Sequence, residues 1–154
     1  MCICTIVSNS IACSHFIHTT KLCTRQMTTV PLSHAANYVG KVVNDGECAS
    51  GVQQVFHDHY GKWVLNLTKT WKAGAKVFGN KSVKPGTAIA SFSGGKYTGK
   101  GCHTAIFVSQ SATGIKVYDQ WKGKADKWST RELTKVARNP NSNQADRFFV
   151  LLHG

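Results

Sequence analysis

The residues best suited to chemistry are a cysteine, a histidine and an acidic residue that lie far apart in the chain. Cys48 stands in the stretch NDGECASGVQQVF, just after a turn-like Asn-Asp-Gly and at the start of a helical pattern. A helix start favours the thiolate, because unpaired backbone N–H groups and the positive end of the helix dipole face the sulfur. His103 is a base that could activate such a nucleophile. Together these residues predict cysteine-based nucleophilic catalysis.

The third member of this candidate site follows from a β-hairpin between HTAIFVS (103–109) and GIKVYDQW (114–121). Side chains alternate across a strand, so the faces occupied by His103 and Asp119 can be worked out from the register. If residues 110–112 form the loop, Asp119 lies directly across from His103 and can orient the imidazole. A slip of one residue places Gln120 there instead, which makes Gln120 the reserve orienter.

Two structural, non-catalytic interpretations of Cys48 compete with catalysis. A single cysteine on a helix face is commonly a small buried hydrophobe, and it could also form a disulfide with Cys102. Neighbouring strand residues point to opposite faces, so Cys102 and His103 do not both address Cys48. We therefore expect two free thiols.

The elements that must position these residues are helices first and strands afterwards. Residues at helical spacing share one face of a helix that begins near Glu47; they are Cys48, Val52, Val55, Phe56 and His59. An earlier helix is capped by Ser33 and runs through Ala36, Val39 and Val43 to the turn at 44–46. Strands are predicted at 87–92, 103–109, 114–121 and 147–152, and 130–136 is left open. The fold class is α+β, with N-terminal helices packed on an antiparallel sheet.

Composition limits the class of protein. A chain of 154 residues with 42% hydrophobic content fits one core. No stretch reaches the roughly 18 apolar residues of a membrane span, so no membrane insertion is expected. Nineteen Lys and Arg against seven Asp and Glu give a net charge of +12, which favours anionic partners such as bacterial cell wall, anionic lipid or nucleic acid.

The segment 1–26 differs in composition from the rest of the chain. It holds four of the six cysteines, no glycine and no acidic residue. Polar residues interrupt its apolar run, so it makes a poor signal peptide. Its cysteine spacings match no paired zinc ligands, and neither a metal nor another cofactor is expected. We predict that 1–26 is an unstructured segment or an over-called translation start, and that the folded domain spans 27–154.

Three stretches carry a resemblance to a known family. They are GECASGVQQVF at the helix start, GCHTAI at 101–106, and the polar Asp119 that ends the next strand. With His103 placed 55 residues after Cys48, this order resembles the papain-like peptidoglycan hydrolases of the NlpC and CHAP type. Within that superfamily the chain is similar to small amidases that include antibacterial type VI secretion effectors. The resemblance spans about 35–152 and leaves 1–26 outside.

The resemblance implies a papain-like cysteine hydrolase that cleaves an amide in the peptide stem or crosslink of bacterial peptidoglycan. Cys48 would attack the carbonyl, His103 would transfer the proton, and Asp119 would orient His103. Trp71, Tyr97 and Trp121 are candidates for lining a substrate cleft. The protein would be a monomer that is secreted or delivered to the periplasm, with an immunity protein as partner. The alternatives are an inactive cell-wall-binding module of the same fold and a basic nucleic-acid-binding domain; the scattered lysines make nucleic acid the less favoured partner.

Overall fold

The computed structural model describes residues 28–123, 125–135 and 144–153, so the prediction for 1–26 lies outside the described part of the chain. Two α-helices come first, α1 (Leu32–Ala36) and α2 (Cys48–Tyr60). Six strands follow: β1 (Lys72–Lys76), β2 (Ala88–Ser91), β3 (Thr104–Gln110), β4 (Gly114–Trp121), β5 (Ala125–Thr134) and β6 (Phe148–Leu152). The predicted helix-then-strand order is confirmed.

The strands form one antiparallel sheet in the order β1-β6-β2-β3-β4-β5. Helix α2 packs against β3, which begins directly after His103, and against β4, which carries Asp119. The predicted α+β class, with helices on an antiparallel sheet, is therefore confirmed. None of the helices among the described residues combines the length and the apolar character that crossing a membrane requires.

Both faces of the sheet are buried. Under α2, the side chains of Val52, Val55 and Phe56 pack with residues such as Ile106 and Trp128. The opposite face holds a second cluster that includes Ile89, Phe107, Ile115, Val117 and Val150. Burial on both faces explains why every residue of β2 is buried and why only Ser91, at its end, is polar.

The first helix is shorter than predicted. Pro31, rather than Ser33, occupies the N-cap position, and α1 ends at Ala36. Beyond the helix the chain pairs with β5: the N–H of Gly40 donates to the carbonyl of Trp128, and the N–H of Trp128 donates to the carbonyl of Lys41. Val39 is consequently 49% exposed instead of buried.

The edge strands β1 and β5 were not predicted. The strand β1 consists of Lys, Ala and Gly and is mostly exposed, and β5 carries polar residues in the stretch that the sequence left open. Edge strands carry charges that discourage pairing with other chains, and those charges weaken the alternation by which strands are recognised. The four interior strands were found because each is rich in β-branched or aromatic residues.

The hairpin register differs from the predicted one by two residues. The predicted loop would pair Ile106 with Lys116, whereas Ile106 pairs with Tyr118 and Phe107 with Val117. A shift of two residues preserves the face on which each side chain lies, whereas a shift of one reverses it. Asp119 therefore stays on the face that the prediction gave it.

Candidate active site

The thiol of Cys48 lies at the first residue of α2 and opens onto a cavity. Glu47 is the extended N-cap residue, and the preceding turn uses left-handed conformations at Asn44 (φ 55°) and Gly46 (φ 85°). Cys48 is 8% exposed. The cavity has a volume of about 660 Å³ and is lined by Glu47, Cys48, Ala49, Thr68, Tyr97, Gly99, Lys100, Gly101, Cys102 and Trp121. The sulfur is therefore shielded but reachable.

Gln120 fixes the turn that leads into Cys48. Its Oε1 accepts from the N–H of Val43 at 2.9 Å, and its Nε2 donates to the carbonyls of Val43 at 2.6 Å and Glu47 at 3.0 Å. The amide is fully buried and its donors and its acceptor are all engaged there. The reserve prediction, that Gln120 orients His103, is therefore wrong: Gln120 holds the helix start instead.

Gly51 leaves the space that the Gln120 amide occupies. A Cβ at Gly51 would lie 2.6 Å from Nε2 of Gln120 and 2.9 Å from its Cδ. We expect Gly51→Ala to break hydrogen bonds worth about 1 kcal/mol each and to recover about 1 kcal/mol of helix propensity. The net loss in the free energy of unfolding should be about 1–2 kcal/mol, measured by urea denaturation.

A double-mutant cycle isolates this contact. In a Gln120→Ala background the added methyl has no amide to displace, so Gly51→Ala should stabilise the protein there. Equal destabilisation by Gly51→Ala in both backgrounds would contradict the packing described.

His103 is held by a buried carboxylate. Its Nε2 lies 2.7 Å from Oδ2 of Asp119, and both side chains are only 1% exposed. Asp119 is held in turn by Arg131 on β5, whose Nε lies 3.0 Å from Oδ1 and 2.7 Å from Oδ2. Nη2 of Arg131 also lies 3.1 Å from Nε2 of His103. Because Nε2 faces Asp119, Nδ1 is the nitrogen left for Cys48.

The electrostatics favour an ion pair between thiolate and imidazolium. Burial raises the pKa of Cys48, but the hydrogen bond and charge of His103 outweigh it and hold that pKa below its ordinary value. Burial lowers the pKa of His103, but the hydrogen bonds to Asp119 and Cys48 raise it overall. Burial raises the pKa of Asp119, and its bonds to His103 and Arg131 bring it below normal. All three groups therefore favour their charged forms.

The pH dependence of thiol alkylation tests this pair. Because the pKa of Cys48 is lowered, the thiolate should persist below the ordinary cysteine pKa of about 8.5 and be lost only as the pH falls through the lowered value. The rate at which iodoacetamide modifies the Cys48 peptide is followed by mass spectrometry at a series of pH values. We expect the midpoint of that rate against pH to lie clearly below 8.5. His103→Ala should return the midpoint toward or above that value. A wild-type midpoint at or above 8.5 would contradict the ion pair.

The structure separates the three aromatic residues predicted to line a cleft. Tyr97 and Trp121 line the cavity, and the Trp121 ring centroid lies 5.5 Å from that of His103. Trp71 is 1% exposed and packs behind Tyr97 with ring centroids 4.8 Å apart. The prediction for Trp71 is therefore wrong, because a large aromatic side chain in a small domain serves the core.

Arg131 and Thr104 are site residues that the sequence reasoning missed. Arg131 lies in the stretch left open, where the pairing of Val117 with Arg131 puts it beside Asp119. Thr104 follows His103 and donates a hydrogen bond to the Tyr97 hydroxyl at 2.9 Å. Strand alternation across β5 was the one signal that could have indicated Arg131.

The other thiol in the cavity stays apart from Cys48. Both Cys48 and Cys102 are free, as predicted, and the sulfur of Cys102 lies 3.4 Å from Oγ1 of Thr98. Within the described ranges no group of three or more His, Cys, Asp or Glu side chains could hold a metal ion.

Comparison with known proteins finds relatives that cover most of this chain. The sequence profile of the family described as domesticated amidase effector 2 matches residues 17–151. A type VI secretion amidase effector 2 protein from Salmonella typhi is 42% identical over 124 residues, which cover 72% of this chain and 88% of the relative. The solved structure of type 6 secretion amidase effector 2 (Tae2) matches with a TM-score of 0.64 and 30% identity, over 81% of this chain and 94% of the other.

The family match reaches ten residues upstream of Met27, and the domain boundary at 27 stays a prediction. The matched region contains Cys48, His103 and Asp119, together with helix α2 and strands β3 and β4. The chain belongs to the domesticated amidase effector 2 family.

Proposed function

We propose that this protein is a cysteine amidase that hydrolyses an amide bond in the peptide stem or crosslink of bacterial peptidoglycan. The observation that carries the proposal is the buried pair of His103 and Asp119, joined at 2.7 Å, beside a thiol at the first residue of a helix. Structural cysteines have no need of such a pair, whereas a nucleophile requires a base and a group that orients it. Family membership supports the amidase class.

Acylation begins with the thiolate of Cys48. The sulfur attacks the carbonyl carbon of the scissile amide and forms a tetrahedral intermediate with a negatively charged oxygen. The backbone N–H of Cys48, at the helix start, supplies one hydrogen bond to that oxygen. The imidazolium of His103 then gives its proton to the leaving nitrogen, the C–N bond breaks, and a thioester on Cys48 remains.

Deacylation uses the same groups in reverse. Neutral His103 removes a proton from a water molecule, and the resulting hydroxide attacks the thioester carbon. The C–S bond breaks, the acid product leaves, and the thiolate of Cys48 is regenerated beside the protonated imidazole. Asp119 accepts the hydrogen bond from Nε2 throughout, which keeps Nδ1 directed at the sulfur.

The charge of the chain suits this substrate. A net charge of +12 attracts the protein to the anionic cell wall and raises the local substrate concentration. Lys100 at the rim of the cavity lies where it could meet a stem carboxylate. The cavity of about 660 Å³ has room for a short peptide.

The relatives named as type VI secretion effectors suggest how the protein reaches its substrate. Delivery into the periplasm of another bacterium would place the enzyme on the peptidoglycan side of the membrane. A producing cell that also meets the enzyme would need an immunity protein to cover the Cys48 cavity. Both statements follow from the proposed activity and the names of the relatives.

Digestion of purified sacculi tests the activity. Wild-type protein should release soluble fragments, and mass spectrometry should find one water added at each cleaved amide. Protein blocked at its thiols with N-ethylmaleimide is the control and should release none. The cleaved bond is read from the fragment masses.

Two binding measurements, made beside the digestion, distinguish the two alternatives. Sedimentation with intact sacculi, without any released fragment, would favour the inactive binding module. Steeply salt-dependent binding to DNA in the absence of sacculus cleavage would favour the basic nucleic-acid-binding domain.

A further inference from the structure

Tyr97 lies beside Cys48 in the wall of the cavity, on the segment that connects β2 to β3. It is 9% exposed, and its ring packs against Trp71 at 4.8 Å and Phe92 at 6.3 Å between centroids. These contacts fix the ring, so the position of the hydroxyl is set by the core rather than by a flexible loop. A rigid and nearly buried tyrosine hydroxyl requires its own hydrogen-bond partners.

The hydroxyl of Tyr97 has two such partners. Oγ1 of Thr104 donates to Oη of Tyr97 at 2.9 Å, and Oη lies 3.6 Å from the sulfur of Cys48. Because Thr104 fills an acceptor site on Oη, the phenolic proton remains available for the sulfur. Thr104 is completely buried, so no water competes for its hydroxyl.

The direction of this hydrogen bond follows from the charges. Burial, and next the negative charge on Cys48, raise the pKa of Tyr97, so the phenol keeps its proton across the working pH range. The thiolate is acceptor only, and its pKa is lowered in part by the bond from Tyr97. The tyrosine therefore donates and the sulfur accepts.

We propose that Tyr97 is a further catalytic residue, which stabilises the Cys48 thiolate by an O–H···S hydrogen bond that Thr104 orients. This role rests on the proposed amidase function and assigns to the site a donor other than His103. It adds a second side-chain donor to the sulfur, one that keeps its proton when His103 gives its proton to the leaving amine.

The test compares the thiolate of wild type and Tyr97→Phe. Phenylalanine keeps the ring contacts and removes only the hydroxyl. We expect the midpoint of Cys48 alkylation by iodoacetamide to rise by about one pH unit and the kcat/KM for a muropeptide to fall about tenfold. Tyr118→Phe, which removes a hydroxyl from β4 that is not among the hydrogen-bond partners of the Cys48 sulfur, is the matched control and should change neither quantity.

A second pair of variants separates hydrogen bonding from packing. Thr104→Val removes the donor to Oη and should raise the midpoint by a smaller amount in the same direction, whereas Thr104→Ser should keep the wild-type midpoint. An unchanged midpoint or an unchanged kcat/KM in a folded Tyr97→Phe protein would overturn the proposal. Failure of the amidase function would be visible separately, as intact sacculi after treatment with wild-type protein.

Discussion

Cys48→Ala is expected to abolish amide cleavage while leaving the fold intact. Removing a nucleophile that forms the covalent intermediate should lower kcat by a factor of about 10⁴ or more. The substitution removes a single sulfur atom and keeps the Cβ at the start of α2, so it should change the melting temperature little. The measurement is the rate of release of a new amino group from a defined muropeptide, with circular dichroism as the check on folding.

Cys102→Ala is the matched control for that variant. It removes the other thiol of the same cavity, which bonds to Thr98 and not to the imidazole. We expect it to retain most of the wild-type activity. Cleavage by Cys48→Ala at a rate comparable to wild type would mean that the nucleophile is a different group.

Asp119→Ala is expected to damage both catalysis and stability. Without the carboxylate, Nε2 of His103 loses its acceptor and Nδ1 is no longer held toward the sulfur, so kcat should fall on the order of 10³. Arg131 also loses its ion-pair partner, because the wild-type Asp119 side chain that it contacts, which is only 1% exposed, is removed. Breaking a buried ion pair by removing one member costs about 3 kcal/mol.

The pH dependence of that loss has a defined sign. The folded pKa of Asp119 is lowered, so the carboxylate stabilises the fold above the ordinary aspartate pKa of about 3.9. The difference in unfolding free energy between wild type and Asp119→Ala should be full at neutral pH and shrink as the pH falls through the lowered value. Urea denaturation from pH 7 down to pH 3 measures it.

Glu132→Ala removes an exposed carboxylate from β5, at the position next to Arg131, and serves as the control for charge alone. We expect it to keep both the activity and the stability of wild type. If Asp119→Ala behaved like Glu132→Ala, the carboxylate would have no part in orienting His103.

The central site could be predicted because each of its residues has a local signal. Cys48 follows a turn and opens a helix, His103 precedes a strand, and Asp119 lies two positions from the end of the next strand. The register was misjudged by two residues, yet the face of Asp119 was preserved because side chains in a strand repeat every two residues. A one-residue error would have exchanged Asp119 for Gln120.

The remaining parts of the site depend on contacts that the sequence does not encode locally. Arg131 lies on an edge strand whose polar composition hides its alternation, so its bond to Asp119 was not foreseen. The aromatic residues could not be divided between cleft and core from the sequence. Trp71, which is buried behind the cavity wall, and Trp121, which lines the cavity, are the same type of residue. Gln120 was assigned to the wrong partner because its side chain lies on the face of the sheet on which α2 packs.

Trapping the acyl-enzyme tests the central claim most directly. Wild-type protein mixed with a muropeptide and quenched in acid within the first turnovers should carry the acyl fragment as a thioester, and peptide mapping by mass spectrometry should locate that mass on the peptide that contains Cys48. Slowing deacylation with Asp119→Asn should increase the trapped fraction if that step depends on His103. Cleavage that proceeds with no adduct on Cys48, or with an adduct on another residue, would contradict the account of this protein as a cysteine amidase acting through Cys48.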